Sequence, residues 1–185
     1  VKRYGPDGKA TGETRFVGLF TSEAYDRLAT ETPLIRRKVA NVLSRADKAP
    51  GSHNEKRLKN ILDNYPRDEL FQISEDELFA TALGIVRLGE RQRTRLFVRR
   101  DTFGRFYSCL VYVPRENYNT ELRARMQALL IEAFNGSATE FSVQFSDSPL
   151  ARVHLIITTT PGKIPPVSSA AIEAQIANIT HRWSD

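Results

Sequence analysis

Cysteine is nearly missing from this chain: Cys109 is the only one among 185 residues. An internal disulfide framework and a cysteine-cluster metal site are therefore excluded, and a reducing, cytoplasmic setting is expected. No apolar run approaches the roughly 20 residues that a membrane helix needs. No apolar h-region follows Val1-Lys2-Arg3-Tyr4-Gly5, so no secretory signal is expected there. The histidines His53, His154 and His181 stand apart, without the H-x-x-x-H or H-E-x-x-H spacing that chelates a metal. Glycine-rich phosphate cradles are missing too: there is no G-x-G-x-x-G and no G-x-x-x-x-G-K-[ST]. No G-x-S-x-G elbow presents a nucleophilic serine. The residues by themselves assign no catalytic, cofactor-binding or metal-binding role.

What is present is a modest positive charge, +5, with 41% apolar and 26% charged residues. That surplus makes a polyanion worth weighing, but it is not polarised. Residues 1–92 hold 16 Lys and Arg against 14 Asp and Glu, and residues 93–185 hold 11 against 8. Ten of those 11 cations are arginines, which bind carboxylate and phosphate through a planar fork. The densest cluster is Arg87, Arg91, Arg93, Arg95, Arg99, Arg100 and Arg105. It reads first as an ion-pair surface, solvated or between domains. A second reading makes Arg93, Arg95, Arg99, Arg100 and Arg105 an anion or interdomain contact. A third is RNA binding, because Gly104 to Val113 loosely resembles an RNA-recognition-motif strand. That stretch lacks the glycine between paired aromatics, and no second aromatic motif accompanies it.

The period of the apolar residues divides the chain. Val1 to Tyr4, the turn Gly5-Pro6-Asp7-Gly8 and the β-rich run Arg15 to Phe20 read as an incomplete hairpin. A chain opening on Val in mid-strand is expected to be a piece of something longer. Thr32 as N-cap and Pro33 at the first helical position open a helix over 32–46, with Leu34, Ile35, Val39, Val42 and Leu43 on one face. Ala49-Pro50-Gly51 breaks it. Ser52-His53-Asn54-Glu55 and Ser74-Glu75-Asp76-Glu77 have capping-box spacing, and Pro66 ends the helix between them. From Arg93 the period becomes two. Strands are expected over 96–100, 105–113, around Phe141, Val143 and Phe145, and over 153–160. Asn119 or Thr120 starts one intervening helix, closed by Gly136; Ser168 or Ser169 starts a last one carrying Ile172, Ile176, Ile179 and Trp183.

The expected fold is α+β: a helical segment, then a ββαββα antiparallel sheet with helices on one face, of ferredoxin-like or ACT-like type. In strand 105–113 both faces are apolar. Tyr107, Cys109, Val111 and Val113 lie on one side, and Phe106, Leu110 and Tyr112 lie with Ser108 on the other. A sheet with helices on one side usually shows a polar second face, so Phe106, Leu110 and Tyr112 are expected to meet another domain or subunit. Cys109 reads as a small buried hydrophobe and His154 as a packed or capping imidazole. The pairs Asp68/Glu69 and Asp76/Glu77 lie at helix starts, where the dipole favours negative charge, and are read as capping rather than acid–base groups.

Four long stretches carry a resemblance: RFVGLFTSEAY (15–25), PLIRRKVANVLSRA (33–46), PGSHNEKRLKNILDNYPRDELFQI (50–73) and RTRLFVRRDTFGRFYSCLVYVPRENYNTELR (93–123). Together they resemble the N-terminal, non-catalytic region of the large bacterial NAD-specific glutamate dehydrogenases. The resemblance implies a parent enzyme that converts L-glutamate, NAD and water to 2-oxoglutarate, ammonium and NADH. Its catalytic lysine and aspartate and its NAD fold lie downstream, so NAD belongs to the parent and not to this segment. It also implies ACT-like modules, which bind amino-acid effectors or mediate subunit contacts. The segments then become 1–33, a remnant of a preceding ACT-like domain; 34–92, helical; and 93–185, ACT-like. Expected partners are other domains of the same chain, further copies in a homo-oligomer and an amino-acid effector, with no membrane and no nucleic acid. ACT effector pockets carry a glycine at a strand-to-helix junction, whereas here that junction reads Pro114-Arg115-Glu116-Asn117-Tyr118-Asn119. A regulatory or assembly role follows, with a stand-alone RNA- or anion-binding module using the Arg87–Arg105 stripe as the alternative.

Overall fold

Alternating side chains along four strands build the centre of the molecule. The computed structural model describes residues 1–46, 53–89, 91, 93–162 and 165–181. Strands β3 (Arg95–Arg100), β4 (Phe106–Pro114), β5 (Ala138–Gln144) and β6 (Leu150–Thr158) form one antiparallel sheet in the order β3-β4-β6-β5. They are preceded by the hairpin β1 (Lys2–Tyr4) and β2 (Ala10–Glu13), and by helices α1 (Glu23–Asp26), α2 (Ile35–Ala46), α3 (His53–Asp63), α4 (Arg67–Gln72) and α5 (Glu75–Leu88). Helix α6 (Thr120–Phe134) joins β4 to β5, and α7 (Ser169–His181) follows β6. The ββαββα order is the expected one.

The period-two pattern places Tyr107, Cys109, Val111 and Val113 beside Val153, Leu155 and Ile157, where α6 and α7 bury them with Leu122, Met126, Leu130 and Ile176. Asn119 caps α6 by accepting the Leu122 N–H at 2.8 Å. At its other end Asn135 takes the left-handed conformation and the Gly136 N–H returns to the Ile131 carbonyl. Burial pushes the Cys109 thiol up, the behaviour of a packed hydrophobe rather than a nucleophile.

The second sheet face is covered from within the chain. Leu110 joins a separate core made by Val39, Val42, Leu58, Leu62, Leu70, Leu78 and Ala82 of the helical segment, with Phe97 and Tyr112 packed against it. The molecule is thus three layers, helices on both faces of one sheet, and Leu110 and Tyr112 need no other subunit to cover them. Helix α5 comes closest at Gly84, where a Cβ would stand 2.6 Å from the Phe97 ring. The Ser74–Glu77 capping box starts α5 with both reciprocal hydrogen bonds. Covering this face also removes the stacking platform that an RNA-recognition reading of β4 requires.

Three local expectations are corrected. Arg15 to Phe20 forms no strand: β1 pairs with Ala10–Glu13 instead, because the short turn at Gly5–Gly8 returns the chain at once. Phe16, Val17 and Leu19 stand exposed, and Phe20 stacks on Phe71 at 3.8 Å between ring centres. Thr32 does not cap α2; its hydroxyl donates backward to the Leu28 carbonyl, and Leu34, at φ 69°, turns the chain before the helix begins at Ile35. Leu34 is accordingly exposed rather than on the apolar face. The Ala49-Pro50-Gly51 breaker, Ser52 of the first capping box and Trp183 lie outside the described residues.

Candidate functional site at the seam between helices and sheet

Strand parity puts Arg99 on the same face as Phe97, pointing under the helical segment. An inward arginine needs a partner, and α4 supplies it. Arg99 Nε donates to Glu69 Oε2 at 2.8 Å and Nη2 to Oε1 at 2.7 Å, a two-pronged pair between side chains only 8% and 3% exposed. The hydrogen bonds that Glu69 accepts hold the Arg99 guanidinium above its ordinary range. Glu69 is therefore not a helix-start charge left in solvent; it is the counter-ion of the sheet.

Around this pair the seam is polar. Lys38 of α2 donates to the carbonyls of Leu70 and Ile73 at 2.8 and 2.6 Å, tying α2 to the end of α4; burial lowers its pKa. Ser108 Oγ and His154 Nε2 lie 2.8 Å apart on the covered sheet face. Burial lowers the His154 pKa, so the ring is neutral at pH 7 and shares one hydrogen bond with the serine. With Ser108 2% and His154 9% exposed, this Ser–His contact is almost wholly covered. A cleft of about 390 Å³ opens beside it, lined by Asp68, Glu69, Gln72, Phe106, Glu140 and His154 among others.

The arginine cluster does not converge. Arg99 points inward, while its neighbour Arg100 is exposed and lies against the turn at Gly104. Arg95 pairs with Glu173 of α7 at 2.9 Å, and the other oxygen of Glu173 accepts the Leu96 N–H at 2.8 Å, closing the free edge of β3. Arg87, Arg91 and Arg93 are exposed. Arg105 pairs with Asp101 at 2.8 Å inside the β3–β4 turn. Phe106 lies half-buried beneath the guanidiniums of Arg99 and Arg105. Local sequence did not disclose Glu69, Lys38 or Ser108. The one available signal was Arg99 itself, a charge at an inward strand position that required a buried acid somewhere.

The turn gives a pH prediction. The side-chain hydrogen bond from Arg105, with a main-chain N–H bond, holds the Asp101 carboxyl down at about 2. An aspartate lowered from about 3.9 lends its stability above that pH and loses it as pH falls toward the folded value. The Arg105 and Gly104 amide signals of the native chain are expected to titrate in NMR spectra with a midpoint of about pH 2. The same titration should be missing in Asp101→Asn.

Among the described residues no group of three His, Cys, Asp or Glu could hold a metal, and no helix is long and apolar enough to cross a membrane. Among the described residues every strand pair is antiparallel, and the β4-to-α6 junction is Pro114-Arg115-Glu116-Asn117-Tyr118-Asn119 rather than a glycine cradle.

Two family models match the chain: the glutamate dehydrogenase helical motif 1 over residues 32–91, and the glutamate dehydrogenase ACT2 domain over residues 95–184. The chain is 43% identical over all 185 residues to an NAD-specific glutamate dehydrogenase of Halomonas elongata, and 43% identical over the same span to one of Pseudomonas aeruginosa. It is 38% identical over 157 residues to one of Mycobacterium tuberculosis. The chain covers 12%, 11% and 10% of the length of these relatives. The seam just described is thus the junction of two named modules, and the chain belongs, through its helical motif 1 and its ACT2 domain, to the N-terminal region of the NAD-specific glutamate dehydrogenase family.

Proposed function

We propose that this chain is a regulatory or assembly block of an NAD-dependent glutamate dehydrogenase, working in the cytoplasm. The parent reaction is the oxidative deamination of L-glutamate to 2-oxoglutarate and ammonium with reduction of NAD. The observation that carries the reading is the 43% identity, over all 185 residues of this chain, to relatives named for that activity. The buried Glu69–Arg99 pair supports it, because it locks helical motif 1 onto the ACT2 sheet as one block. In this reading residues 1–33 belong to a preceding ACT-like domain, and the exposed Phe16, Val17 and Leu19 are covered by it. Residues 34–92 and 93–185 form the docked pair. The block contacts other domains of the same longer chain, and further copies in a homo-oligomer; NAD is held elsewhere in the parent.

The test is glutamate-dependent NADH formation. A longer protein containing this sequence together with its downstream part is expected to turn over, and the pure 185-residue chain is not. Turnover by the isolated chain overturns the non-catalytic assignment. No glutamate-dependent reduction of NAD by the longer protein overturns the parent activity.

A further inference from the structure

At the other end of the seam, helix α3 presents Arg57 and Asn60, and Asn64 follows in the turn just past its end, continuing the same stripe. That stripe faces the ends of β4, β5 and β6, where Tyr112 and Gln144 are both register partners of Arg152. Between them lies a cleft of about 260 Å³. It is smaller than the roughly 300–1,000 Å³ typical of drug-sized sites, and suits a metabolite of a few carbons. Two guanidiniums, Arg57 and Arg152, line it together with amides and the Ser146 and Ser148 hydroxyls, and no carboxylate lines it among the described residues.

Among the described residues the hydrogen-bond partners of Arg152 are neutral groups. Its Nη1 donates to the Asn64 carbonyl at 2.5 Å, and the Tyr112 phenol is its other hydrogen-bond partner. The Gln144 amide donates to Asn64 Oδ1 at 3.3 Å, fixing the cleft wall. Elsewhere on this seam the inward arginine, Arg99, has its own carboxylate. Among the described residues no carboxylate pairs with Arg152, and burial works against its charge. A cation taken partly out of water without a counter-ion is costly, and an entering anion would offset that cost.

We infer that the Arg57–Arg152 cleft binds a small carboxylate metabolite, clamping helical motif 1 against the ACT2 sheet. The inference is independent of the parent's catalysis, since binding is read on the 185-residue chain itself. Titration with succinate at fixed ionic strength is expected to give saturable amide shifts at Asn60, Asn64 and Gln144, and a rise in Tm. Arg57→Ala, on a partly exposed helix position, is expected to fold and to weaken binding about ten- to a hundredfold, the loss of one charge-assisted contact. Arg152→Lys tests the second guanidinium, and Arg100→Ala, outside the cleft, should bind as the native chain does. No saturation, equal affinity in Arg57→Ala, or loss of binding in Arg100→Ala instead overturns the site. Saturation by inorganic phosphate but not by succinate at the same residues overturns the carboxylate assignment.

Discussion

Arg99→Ala is expected to destabilise the chain by about 3–5 kcal/mol, the cost of removing one partner of a buried pair. Glu69 is left 2% exposed with no counter-charge, beneath a helix of six residues. Glu69→Ala should cost a similar amount, since Arg99 then keeps its charge without the two-pronged acceptor. The pair's net worth is another matter. Desolvating both ions offsets most of their attraction, so an apolar replacement of matched volume is often neutral or better. Glu69→Leu combined with Arg99→Met is therefore expected to recover most of the loss. Urea unfolding of the four proteins measures this directly. Single variants within about 0.5 kcal/mol of the native chain, the range of ordinary surface changes, would falsify the buried-pair account.

Leu110→Ala is the second large effect, about 2–5 kcal/mol for a cavity in a packed core. Its distribution matters more than its size. Leu110 is the sheet's fully buried contribution to the helical core, whereas Leu155, on the other face, belongs with α6 and α7. Hydrogen exchange of Leu110→Ala should show α2, α3 and α5 losing protection ahead of α6 and α7. Leu155→Ala should show the reverse order. Equal loss on both sides of the sheet in Leu110→Ala would mean that the two cores unfold as one unit, and that the helical segment is no separable clamp.

Much of the fold could be read along the chain because its signals are local. The Ser74–Glu77 capping box, the Asn119 cap and the switch from a helical to a two-residue period each act within a few residues. They place α5, α6 and the strands correctly. The failures were also local in origin. Arg15 to Phe20 has strand composition, but a strand needs a partner, and the turn before it hands that partner to Ala10–Glu13. Thr32 has cap chemistry, yet a nearer carbonyl at Leu28 takes its hydroxyl.

The candidate site was less legible. The arginines were visible as a cluster, but strand parity sends Arg99 and Arg100 to opposite sides of β3, and only Arg99 enters the seam. Glu69 looked like any acid at a helix start, and its role depends on a residue 30 positions away. Arg57 and Arg152, nearly a hundred positions apart in sequence, gave no joint signal at all.

The sequence by itself determined the element order, the α+β class and the family, because spacing, caps and long shared stretches are properties of neighbouring residues. Tertiary structure alone decided which layer covers Leu110 and Tyr112, which carboxylate neutralises Arg99, and that Arg152 lies half-buried with no acidic partner among the described residues. Those outcomes depend on burial and on charge partners drawn from distant segments, and water sets their energy only once the chain has closed.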